Sequence, residues 1–158
     1  MSVLRVRFTR LDNDRHRFEA IRPNGDVETR ELETRSLLFH DLVHFAVETE
    51  AGLYNSFYGQ LAKGVEYDAM ADKGPETPEG VKTELVVGAL QGAMKGEIDP
   101  AAFVARMQDV WTNIGRPPPD WLTTDMIARA LERLRQIQGR WRATPFGQTM
   151  ELEFPLGD

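Results

Sequence analysis

Residues 37–64, LLFHDLVHFAVETEAGLYNSFYGQLAKG, hold two of the chain's three histidines and the densest apolar stretch of its first half. At about 100° per residue, His40, Asp41, His44 and Glu48 fall within roughly a quarter-turn of one helix. Leu38, Leu42, Val43, Phe45, Ala46 and Val47 fill most of the remaining circumference. A helix that apolar belongs in a core. The spacing therefore predicts a buried helix, running to about Thr49 and broken at Gly52, with the rest of the chain packed around it. Its narrow polar strip carries imidazoles and carboxylates, and no Lys or Arg occurs between Leu37 and Gln60.

Upstream, residues 2–11 alternate Leu4, Val6 and Phe8 with Arg5, Arg7 and Thr9, the period of a strand. Residues 16–22 form a second strand with His16, Phe18 and Ala20 on one face. Pro23-Asn24-Gly25-Asp26 has hairpin chemistry, because Asn-Gly tolerates the positive φ such turns need. Residues 27–32 return as a charge-rich strand placed at a sheet edge. At the other end of the chain, residues 148–154 point Met150, Leu152 and Phe154 one way and Thr149, Glu151 and Glu153 the other. Opposite charges on neighbouring strands stabilise by about 0.2–1 kcal/mol each. Outward Glu151 and Glu153 match outward Arg5 and Arg7, so this last strand is expected to pair with the first.

Downstream of the buried helix the signals are helical. Thr34 or Ser36 is the expected N-cap of that helix. A second helix is read over 54–63, closing on Gly64, and the polar, acidic residues 65–77 read as an exposed loop. Thr77-Pro78 starts a third helix reaching about Lys95, with proline in the first turn. It carries Leu85, Val86, Ala89, Leu90 and Ala93, and has Gly88 and Gly92 one turn apart. Asp99-Pro100 opens a fourth, with Phe103, Met107, Val110 and Trp111 inward. Thr123 or Thr124 caps the clearest amphipathic helix, from Ile127 to Trp141. The expected architecture is α+β and a single domain over 1–158. Residues 1–33 form a sheet meander, 36–142 a block of about five helices on one face, and 148–154 the closing strand.

The chain has 158 residues, 41% hydrophobic and 28% charged, which are globular values. Net charge is −6 and the pI about 5.1, so neither nucleic acid nor an anionic membrane is an expected partner. There are no cysteines, which excludes disulfides and thiolate metal sites. The opening MSVLRVRFTR lacks the apolar core of a signal peptide, and no run approaches bilayer length, so a cytoplasmic location is expected. No phosphate-binding glycine loop, nucleophile elbow or dinucleotide fingerprint is present.

The chemistry therefore concentrates on the strip. His40-Asp41-Leu42-Val43-His44 is a His-Asp-x-x-His sequence, one methylene short of the His-Glu-x-x-His helix of zinc peptidases. Two imidazoles one turn apart chelate one ion, and the carboxylate beside the first serves as general base. His40 and His44 are thus candidate ligands for zinc or another divalent metal, and Asp41 and Glu48 candidate water-activating carboxylates. Glu48 rises about 12 Å along the helix from His40, so a third ligand must come from elsewhere. The acidic loop offers Glu66, Asp68 and Asp72. The bland reading is that both imidazoles hydrogen-bond to backbone carbonyls or to Asp41 and Glu48, orienting a core helix. Tyr54, Phe57, Tyr58 and Tyr67 line a pocket beside the histidines or pack as core, core being commoner. The arginines of the last helix (Arg129, Arg133, Arg135, Arg140, Arg142) fit a helix C-terminus better than a nucleic-acid face.

The segments HDLVHFAVE, Gly52 and FYGQLAKG resemble a recurrent pattern in small uncharacterised bacterial proteins, in which a His-Asp-Leu-x-His helix precedes a Phe-x-Gly-x-Leu-Ala-x-Gly segment. The resemblance spans about residues 37–64 and implies a bacterial source. It carries over no activity and no residue role. Three readings follow. The first is a soluble protein whose His40/His44 stripe is structural or lines a small binding cleft. The second is a divalent-metal-dependent hydrolase with His40 and His44 as ligands. The third is a homo-oligomeric interaction module whose Gly88/Gly92 helix meets a partner.

Overall fold

In the computed structural model, which describes residues 2–71 and 74–157, the alternating segments form β1 (Val3–Arg10), β2 (Arg15–Ile21), β3 (Val27–Glu33) and β4 (Thr149–Pro155). They make one antiparallel sheet of order β3-β2-β1-β4. Turn chemistry sets the hairpins. Asp12 Oδ1 accepts from the Asp14 and Arg15 amides, and Asn24 Oδ1 from Asp26, next to Gly25 at φ 95°. The charge match between the first and last strands is borne out. Arg5 stands opposite Glu153 and Arg7 opposite Glu151, and the Arg7–Glu151 pair closes to 3.1 Å. The charge-rich β3 lies at an edge as expected, and the sheet is α+β with helices against its apolar face.

That face presents Leu4, Val6, Phe8, Phe18, Ala20, Leu152 and Phe154, all buried. On it sits α1 (Phe39–Ala51), with every residue from Asp41 to Glu48 buried. The other helices are α2 (Phe57–Ala62), α3 (Tyr67–Met70), α4 (Pro78–Ala93), α5 (Pro100–Asn113) and α6 (Thr124–Arg142). Helix α1 packs against α4, α6 and β4, so the helix read as central from sequence is central in space. Its Phe45 meets Phe154 of β4 edge-on at 5.7 Å. Fully burying such side chains contributes about 1.5–3 kcal/mol each.

Helix ends follow the sequence signals at most places. Thr77, Asp99 and Thr123 each accept an amide hydrogen bond at the start of α4, α5 and α6. Gly52, at φ 67°, ends α1 in the left-handed conformation, and the Leu53 amide reaches back to the Glu48 carbonyl. The start of α1 differs from the expectation. Neither Thr34 nor Ser36 caps it. A widened π-helical turn, Thr34–Leu38, leads into α1 without a side-chain cap. Both hydroxyls are taken elsewhere, Thr34 by His16 Nδ1 at 3.1 Å and Ser36 by Glu33 at 2.8 Å.

Two further expectations are corrected. Helix α2 starts at Phe57 and not near Tyr54, because residues 53–56 fold back beneath it. A Cβ on Gly59 would lie 1.9 Å from the Tyr54 carbonyl oxygen, so the backbone approaches there as only glycine allows. The stretch from Val65 is not an open loop. Glu28 points inward from β3, pairs with Arg22 at 2.7 Å and accepts from the Tyr67 amide at 2.8 Å. Arg22 also donates to the Leu61 carbonyl at 2.6 Å. This buried pair pins α3 to the sheet and buries Tyr67 and Met70. On α4 the core face is Thr83, Val86, Val87 and Leu90, and Leu85 faces outward. Among the described residues, no helix is long and apolar enough to cross a membrane.

Candidate metal centre

The polar strip of α1 faces α4. His40 and His44 follow one another at one helical turn, and their rings meet edge-on with centroids 4.7 Å apart. Each ring has its Nδ1 engaged by an oxygen acceptor. His44 Nδ1 lies 2.7 Å from Glu48 Oε2, and His40 Nδ1 lies 2.8 Å from Gln91 Oε1. With Nδ1 engaged in this way, each ring turns its Nε2 to the opposite side. Both Nε2 atoms point at one carboxylate, that of Glu84 on α4. His40 Nε2 is 3.2 Å from Glu84 Oε1 and His44 Nε2 2.9 Å from Glu84 Oε2.

His40, His44 and Glu84 thus offer three donor atoms within 4.8 Å of one another, the kind of set that holds a metal ion. Ligands about 2.0–2.2 Å from a tetrahedral zinc stand roughly 3.4 Å apart, and the two imidazole-to-carboxylate distances, 3.2 and 2.9 Å, lie close to that spacing. Burial is graded. The His44 side chain is 2% exposed, His40 26% and Glu84 29%, so one flank of the cluster reaches the surface. Gly74, at φ 73°, backs onto the Glu84 carboxylate: a Cβ there would lie 2.8 Å from Oε2. Glycine leaves the space that the carboxylate fills.

The side chains around the two imidazoles are themselves held in place. Glu48 is wholly buried, and its second oxygen, Oε1, accepts from the Tyr58 amide at 2.9 Å. Asp41, on the same strip, turns the other way. Its Oδ2 accepts from the Tyr67 hydroxyl at 2.8 Å, while its backbone carbonyl accepts from the Tyr58 hydroxyl at 2.6 Å. Glu79 fixes the start of α4 by accepting from the Asn55 amide at 2.6 Å and from Ser56 at 3.1 Å. Ser56 also meets Thr83 at 2.8 Å, one residue before Glu84.

Electrostatics follow from this packing. Burial opposes charge on His44, but the carboxylates of Glu48 and Glu84 on its two nitrogens outweigh it and raise its pKa to about 10. Glu84 hydrogen-bonds to His40, which raises that ring too, against the opposing effect of burial. Burial would lift Glu84, yet the two imidazoles hold it well below the usual carboxylate range. Asp41 is pushed up to about 7 by burial, partly offset by the Tyr67 hydroxyl and His44. Without a metal, then, His44 is an imidazolium between two carboxylates.

Against the sequence reading, His40 and His44 do come together. The third carboxylate is a different one from those expected. Glu66 and Asp68 both pair with Arg30, at 3.8 and 3.2 Å, and stand apart from the cluster. Asp72 lies outside the described residues. Glu84 comes instead from a helix forty positions downstream of His44. A signal for it existed: Glu84 and Gln91 are seven apart, hence on one face of α4, and both meet His40. Asp41 and Glu48 are beside the histidines but buried, with both oxygens of Glu48 and Oδ2 of Asp41 engaged as described. Of the aromatic set, Phe57, Tyr58 and Tyr67 are core and Tyr54 is exposed. On α6, Arg129 and Arg133 both pair with Glu50, Arg135 with Glu132, and Arg140 donates to the Glu151 carbonyl. No protein family, curated protein or solved structure matches the chain.

Proposed function

We propose that this chain binds one divalent cation, zinc foremost, through His40 Nε2, His44 Nε2 and the Glu84 carboxylate, and that it serves as a metal-dependent hydrolase. The observation that carries the metal is the pairing of both Nδ1 atoms with fixed acceptors while both Nε2 atoms converge on one carboxylate. Metal-binding histidines are oriented in this way, by an outer acceptor on the other ring nitrogen. Two imidazoles and one carboxylate leave coordination positions open, as catalytic zinc sites do and structural ones do not. A cation there supplies Lewis acidity to a substrate carbonyl or phosphoryl group. The chain's own groups do the rest. Glu48 and Gln91 hold the ring orientations, Asp41 and Tyr67 anchor the strip, and the partly exposed flank of Glu84 gives access. A bacterial, cytoplasmic origin belongs to the same proposal, supported by the likeness of residues 37–64 and by the acidic composition.

A second reading is favoured by one observation: all four ring nitrogens and both Glu84 oxygens already have partners. The cluster would then be a closed ion-pair network tying α4 to α1. One experiment separates the two. Protein purified without a polyhistidine tag is offered zinc, desalted and measured for metal content. The proposal expects one zinc per chain, lost in Glu84→Ala with circular dichroism unchanged. Wild-type protein that retains no zinc and gains no thermal stability from it would leave only the network.

A further inference from the structure

Glu84 belongs to two features at once. One face of its carboxylate meets the histidines, and the residue also lines a cleft of about 410 Å³ between α4 and the C-terminal end of α5. That volume lies within the roughly 300–1,000 Å³ of small-molecule sites. The cleft is apolar in an unusual way. Val81, Leu85 and Ile114 line it, at 55%, 41% and 56% exposure, and they are half of the six large apolar side chains standing in solvent among the described residues. Trp111, buried to 2%, lines it as well. Exposed apolar side chains scattered singly need no explanation, but a group of them around one concavity marks a binding surface.

The charges of the lining that are left without a partner have one sign. Lys82 and Arg116 lie in the same cleft, and among the described residues neither has an ion-pair partner. These two cations face one concavity on a chain whose net charge is −6. Glu84, the only acid in the lining, has its charge taken up by the two imidazoles. An apolar concavity with two uncommitted cations is complementary to a molecule with an apolar body and an anionic end.

We infer that this cleft binds a small amphipathic carboxylate, with its acyl or aryl body against Val81, Leu85, Ile114 and Trp111 and its anionic end held by Lys82 and Arg116. The inference names the ligand class of the cleft beside the metal site; a substrate of that site would add to the anionic end a hydrolysable ester, amide or phosphoester bond near Glu84, and only that addition rests on the metal reading. Binding itself needs no metal.

The test uses the full chain, free of metal, titrated by calorimetry with octanoate, octanol and octylamine. Octanoate is expected to bind about tenfold more tightly than octanol, and octylamine less tightly than either, since a factor of ten is what one modest charge contact supplies. In the Lys82→Gln, Arg116→Gln double variant, octanoate should fall to the level of octanol while octanol is unchanged. Leu85→Glu, at an exposed position that cannot disturb the core, should weaken both. Equal affinity for the three probes, no detectable octanoate binding, or undiminished octanoate binding in the double variant would each overturn the inference. Zinc uptake is measured separately on the same preparations. Octanoate binding without zinc uptake removes the metal reading and leaves the cleft; zinc uptake without octanoate binding does the reverse.

Discussion

Replacing Glu48 by glutamine should weaken the metal site without touching a ligand. The side chain is isosteric and wholly buried, and its two oxygens have different duties: Oε1 accepts from the Tyr58 amide at 2.9 Å, and Oε2 faces His44 Nδ1 at 2.7 Å. Only one atom of the new amide can accept. If its oxygen keeps the Tyr58 bond, its NH₂ faces Nδ1, and His44 must turn its lone pair there and carry its proton on Nε2. That nitrogen is the one aimed at Glu84 and needed by a cation. Loss of such an outer partner typically lowers metal affinity by about 10–100-fold. At a free zinc concentration about 100 times the wild-type Kd, bound metal stabilises the native protein by about 2.7 kcal/mol. For a domain of this size that is a Tm rise of roughly 5–11 °C. In Glu48→Gln the same zinc gives only about 0.4–1.4 kcal/mol, so the rise shrinks to about 1–6 °C. Thermal melts with and without zinc read this directly. Glu151→Gln, a sheet carboxylate that pairs with Arg7 and not with the cluster, is the control: it should keep the full zinc response. A Glu48→Gln protein whose zinc-induced rise equals that of wild type would refute the claim that Glu48 orients a ligand.

The remaining predictions concern titration and packing. Zinc uptake near neutral pH should release at least one proton, because His44 must give up the proton it holds between Glu48 and Glu84 and the His40 ring, also raised, gives up its share; calorimetry in buffers of different ionisation enthalpy counts them, and affinity should rise with pH. His16 is buried, with Nε2 unpartnered, and burial lowers its pKa from 6.5 to about 4. A lowered imidazole pKa means that the folded state prefers the neutral ring. Its contribution is therefore fully present above 6.5 and is lost as pH falls towards 4, a swing of about 3 kcal/mol. Urea unfolding at points across that window should show the loss in wild type and a flatter profile in His16→Phe. Gly59→Ala should destabilise by about 1–3 kcal/mol or more, because its Cβ would collide with the Tyr54 carbonyl, which is backbone and cannot swing aside. A Tm within error of wild type would mean that the loop over residues 53–56 is free to move.

Much of the fold was legible because its signals are local. The alternation in residues 2–11 and 148–154, with charges of opposite sign on the outward positions, specified a register between strands 140 residues apart. Thr77-Pro78, Asp99-Pro100 and Gly52 specified helix ends by backbone chemistry that needs no tertiary context. What escaped was set by tertiary contact. Thr34 has the composition of a cap, but His16 from another strand claims its hydroxyl. Residues 67–70 look solvated, but Glu28 reaches across to hold the Tyr67 amide. Two of the cluster's three residues were visible, as His40 and His44 one turn apart. Glu84 was not, since α4 reads as an apolar helix with two acids, Glu79 and Glu84, and only the packing of α4 on α1 tells them apart.

The sheet order has a consequence for how the chain is made. Strand β4 lies beside β1, and its Phe154 fills the space between Phe45 and Tyr58, the rings at 5.7 and 5.4 Å. A nascent chain therefore emerges with the floor beneath its histidine helix missing, and that gap closes only when residue 154 has cleared the ribosome. Until then β1 presents an unpaired edge, and the half-built cluster has no reason to hold its shape. Synthesis of this protein should leave a window in which chaperones have a large apolar surface to recognise, and a chain stopped short of β4 should be degraded instead of accumulating.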